Sequence, residues 1–427
     1  MNPNRSPVLA IVQQHCEEAA FCWLRRQDGL WSPVYRREHL ARVDQLLDAH
    51  LEGLRVAGAA AAPLVLESLQ RWKTADEAFA STYVLLHSRD EAGLAQLEAQ
   101  LQASPELVRG AAAALLWAQA DEALPLLQRW WSSRVPELRR AAVPAAMRHP
   151  RVKRDTVVLD GIEEADASLR ARVFRAIGEW RLVQHRERLL DGLEDTVPLC
   201  RFEAAYALSL LGDAAGAARL GAGLEQLEGS TLRRAILAWA VAAPSENFAA
   251  IFNQLAKVGA WHRELIWALA WRGDPAGLLQ LSQWLQVPEY ARLAAYAICH
   301  ITGADMEADE LWLQDTPEPH KRVPEREDDE AEHAHDQHDH DADEDDDDEH
   351  DEDAGLLPPD VPRLRQWLQV NAGRFLAGQR YLAGLPLANA LAADTAEFSL
   401  PQLWQLALLR TLRGESGPLC ELAQPRW

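Results

Sequence analysis

Five histidines crowd one acidic stretch of this chain: His333, His335, His338, His340 and His350, interleaved with Asp336, Asp339, Asp341 and the run Asp345 to Asp348. Imidazole suits Zn, Ni or Cu(II), and carboxylates add affinity. A tight zinc site also needs a rigid tetrahedral donor set held by outer hydrogen bonds. The stretch Glu327 to Asp353 holds 18 acids and no Lys or Arg. Such like-charge density without aromatics predicts a solvated, disordered insert. Its two alternatives are an electrostatic lure for a basic partner and weak Zn or Ni buffering.

Other reactive groups are sparse. His15, Cys16, Glu17 and Glu18 form a compact set in the first helix. Glu38-His39 and His262-Arg263-Glu264 each lack the twin on a facing helix that a di-metal bundle site requires. No GxSxG, Walker loop or dinucleotide fingerprint occurs, and no order of Ser, His and Asp singles out a triad. The chain is therefore read as non-catalytic and without a cofactor. Sixteen tryptophans are many for a helical protein. Trp117, Trp180, Trp239 and Trp267 fall on or beside apolar helix stripes and are assigned to the core. Trp130, Trp131 and Trp284 lie near helix ends and are the candidates for contact with a protein partner, where tryptophan is enriched. Trp130 and Trp131 are adjacent, so both cannot face one core stripe.

The elements that must hold these groups follow a beat. Arg109, Arg140, Arg170, Arg201, Arg233, His262 and Arg292 are separated by 31, 30, 31, 32, 29 and 30 residues. The third, sixth and seventh residues after each beat are apolar in every case, from Ala112, Leu115 and Leu116 to Ala295, Ile298 and Cys299. A period near thirty enclosing a helical stripe predicts stacked helical pairs, an all-α solenoid of about seven repeats. Acids or prolines ahead of the beat (Pro136-Glu137, Asp166, Asp195, Pro288-Glu289) mark helix starts, and Gly212, Gly273 and Gly303 mark helix ends. Second helices are expected at Glu122 to Trp131 and Ala214 to Leu227. The beat arginines are assigned a structural role, a guanidinium on one layer bonding a carbonyl or carboxylate on the next. The alternative is a positive stripe facing an acidic partner.

The expected division is a helical N-terminal cap over 1–103, the repeats over 104–314, the acidic insert over 315–358 and a helical C-terminal cap over 359–427. Helices are predicted at Val361 to Leu376 and Phe398 to Leu412. No apolar run is long enough for a membrane span, and the polar start, Met1 to Pro7, predicts no secretory signal. Cys16, Cys22, Cys200, Cys299 and Cys420 are scattered, which points to reduced thiols and a cytoplasmic setting. The charge of −22 falls to −4 without the acidic stretch, so no overall basic signature for nucleic acid remains.

Three sets of segments carry a resemblance: Glu17-Glu18-Ala19-Ala20-Phe21-Cys22-Trp23-Leu24 with Ala49-His50-Leu51-Glu52-Gly53-Leu54-Arg55; Trp271-Arg272-Gly273-Asp274-Pro275 with Ile301-Thr302-Gly303; and Arg380-Tyr381-Leu382-Ala383-Gly384. They resemble a family of uncharacterised bacterial HEAT-like proteins with short repeats of roughly thirty residues. The acidic histidine-rich tract departs from that pattern. Members tend to be encoded near type VI secretion genes. The resemblance implies a protein-binding scaffold or adaptor serving secretion effectors in a chaperone, loading or immunity role, and it transfers no catalytic residue. The alternative class, by analogy with bilin-lyase-type arrays of the same repeat length, is a lyase-like or cofactor-handling enzyme.

Overall fold

Alanine- and leucine-rich segments between the prolines and glycines form helices, as their propensities favour. The computed structural model describes residues 7–148, 165–314, 351 and 353–415. They are all-helical apart from one two-stranded hairpin. Among them no helix is long and apolar enough to cross a membrane. Two compact units are present, Met1–Arg272 with Leu387–Trp427, and Gly273–Pro386.

The first unit opens with α1 (Leu9–Gly29), α2 (Arg37–Ala57), α3 (Ala62–Trp72), α4 (Ala75–Ser88) and α5 (Glu91–Ala103). It continues through α6 (Val108–Trp117), α7 (Ala120–Trp131), α8 (Pro136–Arg148), α9 (Ala167–Glu179), α10 (Arg186–Gly192) and α11 (Pro198–Leu210). Then come α12 (Ala214–Arg219), α13 (Gly229–Ala242), α14 (Ser245–Leu255) and α15 (His262–Arg272). Each beat residue of this unit lies near the start of α6, α8, α9, α11, α13 or α15. These helices pack in succession: α4 on α6, α6 on α8, α8 on α9, α9 on α11, α11 on α13 and α13 on α15. The apolar stripe explains why. Every residue at the third and sixth steps after a beat is buried, so each helix is covered by its neighbours.

Of the two returning helices expected, α7 covers Glu122 to Trp131 in full and α12 is shorter. α12 stops at Arg219 instead of running to Leu227. Gly221 and Gly223 take φ of +90° and +76°, and a Cβ at Gly221 would sit 2.6 Å from the Trp239 ring. The chain turns there because only glycine lets the backbone pass that indole.

In the second unit, α16 (Leu278–Trp284), α17 (Pro288–Thr302) and α18 (Val361–Asn371) accompany the antiparallel hairpin β1 (Tyr381–Leu382) and β2 (Leu385–Pro386). The hairpin turn closes the end of α17: Ala383 and Gly384 donate their amides to His300 O at 2.7 Å and Ile301 O at 3.0 Å. Tyr381 N donates to Gly273 O at 2.7 Å. Gly273, Ile301-Thr302-Gly303 and Tyr381 to Gly384 therefore meet through backbone. Here they satisfy helix-end carbonyls.

The chain returns to the first unit as α19 (Leu387–Ala390) and α20 (Leu400–Leu412). α20 packs on α11 and α13. It does so because Leu400, Leu403, Leu406 and Leu408 form a buried apolar face. Gln405, fully buried, donates to Trp271 O at 2.8 Å.

Candidate functional site

Three successive helices present equivalent positions to one cavity. Its wall is Ser168, Arg172 and Arg175 of α9, Leu199, Glu203 and Tyr206 of α11, and Ser230, Arg234 and Leu237 of α13. Within each helix the steps of four and three residues keep the side chains on one face. Between helices every equivalent pair is 31 residues apart. Leu30 and Trp31 from the α1–α2 connection, with Trp404 and Leu408 of α20, close the other side around about 370 Å³. Trp31 stacks on Trp404 with centroids 5.3 Å apart, and Trp404 Nε1 donates to Leu30 O at 2.9 Å.

The cavity wall carries three guanidiniums and one carboxylate. Arg234 is paired with the buried Glu203 and lies over the rings of Phe202 (5.2 Å) and Tyr206 (5.6 Å). Arg175 Nε donates to Glu179 at 2.6 Å. Among the described residues Arg172 has no hydrogen-bond or ion-pair partner. Solvent reaches its side chain, yet protein crowds the cavity around it. Crowding by the surrounding protein, with the charges of Arg175 and Arg234 nearby, pushes its pKa downward, but the side chain is exposed and the effect on it is screened by water. A cation so placed gains most from an anion that enters the cavity and accepts its fork of donors.

The beat arginines are engaged elsewhere. Arg140 Nε donates to both carboxylate oxygens of Asp166, at 3.1 and 3.0 Å, and Arg170 Nε donates to Asp195 at 2.7 Å. Each of these carboxylates stands just ahead of the next beat-bearing helix. Arg201 donates to Gln226 at 2.9 Å and to the carbonyl of Asp195 at 2.9 Å. Arg109 lies over the Trp23 ring at 5.6 Å. Arg233 starts no further than the first turns of α13, and His262 opens α15. In the second unit Arg292 grips Asp351 at 2.6 and 2.9 Å.

Two of the three tryptophans read as partner-facing are interior. Trp130 is fully buried, its Nε1 donating to Glu98 at 2.6 Å, and Trp284 is only 5% exposed. Neither offers an indole to a partner. Trp131 is half-buried, because the next position on the helix is rotated out of the core that holds Trp130. His333, His335, His338, His340 and His350 lie outside the described residues.

The compact set on α1 separates by face. Cys16 is fully buried, and burial pushes its thiol up to about 12. Glu17 is exposed and accepts from Gln13 at 2.7 Å. Glu18 instead converges with Cys22 and with His50 of α2. Burial, then Glu18, pushes the Cys22 thiol up to about 11, and burial lowers the pKa of His50.

Sequence reasoning followed the beat and missed Arg172, Arg175 and Arg234. The signal was a strict 31-residue step offset from the beat, whose own steps run from 29 to 32. Arg172, Glu203 and Arg234 recur in strict register on the face that Ser168, Leu199 and Ser230 continue. Compared with known proteins, the chain matches no family model, no curated protein and no solved structure.

Proposed function

We propose that this chain is a non-catalytic scaffold of HEAT-like helical pairs, stacked as an α-solenoid, that binds a protein partner by admitting acidic side chains to the Arg172 cavity. The succession of beat-bearing helices, each packed on the next, supports the architecture. Arg172 carries the binding reading: it is a cation without a partner among the described residues, inside an aromatic-walled cavity whose wall is net positive. From the family resemblance alone, the partner class we favour is a type VI secretion effector or the machinery that loads it.

The test is fluorescence anisotropy with a short labelled Asp/Glu peptide and its Asn/Gln counterpart. The acidic peptide is expected to bind, with affinity falling as salt rises. Arg172→Ala should weaken it by about tenfold or more, the scale of a lost charged hydrogen bond. Equal affinity for both peptides, or no effect of the substitution, removes the reading. A small anionic molecule is the second reading, because the volume of about 370 Å³ lies in the range of small-ligand pockets. Binding of inorganic phosphate or a dicarboxylate at Arg172, with no binding of the peptide, would select it.

A further inference from the structure

Glu18 and Cys22 are four residues apart on α1 and so share one face. α1 packs on α2, and His50 of α2 lies against that face. One donor atom from each of Glu18, Cys22 and His50 lies within 4.8 Å of the others. Donors around a tetrahedral zinc-type ion stand roughly 3.3–3.8 Å apart, given bonds of about 2.0–2.3 Å. A bound ion would have to draw the three donors inward from this spacing by side-chain rotation. Thiolate, imidazole and carboxylate together suit Zn²⁺ or Co²⁺, while Ca²⁺ and Mg²⁺ take oxygen donors.

A fourth residue fixes the imidazole. His15, one turn before Glu18, places its Nδ1 3.1 Å from the Nδ1 of His50. The His15 ring is wedged against the α2 backbone at Gly53, where a Cβ would lie 2.6 Å from its Nε2. Only glycine at 53 leaves room for that ring. With Nδ1 of His50 held by His15, Nε2 is the nitrogen left to bind an ion. A hydrogen bond to the far nitrogen of a liganding histidine sets both its tautomer and its orientation. Glu18 and His50 are half-buried, Cys22 is buried, and water can take the fourth position.

We propose that Glu18, Cys22 and His50 form a mononuclear site for a zinc-type divalent ion, with His15 as the positioning residue for His50. The experiment is Co²⁺ titration of the full chain under reducing conditions, followed by absorption. The expected result is a thiolate-to-cobalt charge-transfer band that saturates at one equivalent, accompanied by the visible bands of tetrahedral Co²⁺, all displaced by Zn²⁺. The histidine-rich stretch Glu327 to Asp353 contains no cysteine, so ion binding there gives no such band. Cys22→Ser is expected to abolish the band, and Cys299→Ser to leave it intact. His15→Ala should keep the band at saturation but lower the affinity about 10–100-fold. Absence of the band in the native chain, or its persistence in Cys22→Ser, overturns the site. If Cys22→Ser fails to fold by circular dichroism, Glu18→Gln and His50→Ala decide. Both should weaken Co²⁺ binding at least tenfold, and unchanged affinity in both overturns the site equally.

Discussion

Individual side chains show how environment overrides residue type. Glu77 of α4 is 6% exposed, and burial, opposed by a hydrogen bond with Ser68, pushes its carboxyl from 4.5 to about 7. Its folded pKa is raised, so the folded state binds the extra proton. Stability should therefore fall as pH rises from about 4.5 to about 7, and the full penalty persists above that. Glu77→Gln is expected to stabilise the protein at pH 8 by roughly 3 kcal/mol, the free energy of such a shift, with the gap closing below about pH 4.5. Urea denaturation at the two pH values checks it, and equal gaps at both would refute the assignment. Glu77 lies in the first turn of α4, an ordinary place for an acid. Only the packing of α4 against α1 and α3 shows that it is dehydrated. Arg172 is likewise an ordinary arginine by composition, made distinctive by its place in the cavity wall beside Arg175 and Arg234.

Between elements, the beat arginines tie successive helices together. Arg170 on α9 reaches Asp195, which also accepts from Val197 N at 2.9 Å at the start of α11. One carboxylate thus holds the turn that leads into one helix and anchors another. The Arg170 bond holds Asp195 below the usual carboxylate range. That contribution is present above the unfolded Asp value and is lost as pH falls through the lower folded value. Asp195→Asn is expected to cost about 1–3 kcal/mol near pH 7, the cost of losing a charge-assisted bond in a half-buried pair. The deficit should persist down to the unfolded Asp value and shrink only as pH falls from there through the lower folded value, where native Asp195 protonates as well. Thermal unfolding across that range is the measurement, and a pH-independent deficit would assign the loss to packing instead. The periodic arginine and the acid ahead of the next helix were both legible in the sequence, because local helix chemistry fixes them. The early end of α12 was less so. Its glycines permit a turn, but the Trp239 ring that requires one arrives from a different helix.

At the scale of the first unit, residues from both ends of the chain share one structure. Trp404 stacks on Trp31 and bonds Leu30, closing the cavity opposite α9, α11 and α13. Trp404→Ala is expected to destabilise this unit by about 2–3 kcal/mol, below the full-core range because the indole is half-buried. It should also lower hydrogen-exchange protection in α20 before other helices. Unchanged α20 protection would show that its buried leucines hold it without the stack. The sequence by itself determined the helices, their 31-residue register and the polar positions that recur with it, since helix propensity, capping and apolar period are local properties. The tertiary structure alone decided that α20 lies across α11 and α13, that Arg172 lines a partly open cavity, and that Glu18, Cys22 and His50 meet. Those outcomes depend on which apolar faces cover one another across long stretches of chain, and a one-dimensional period carries no record of that choice.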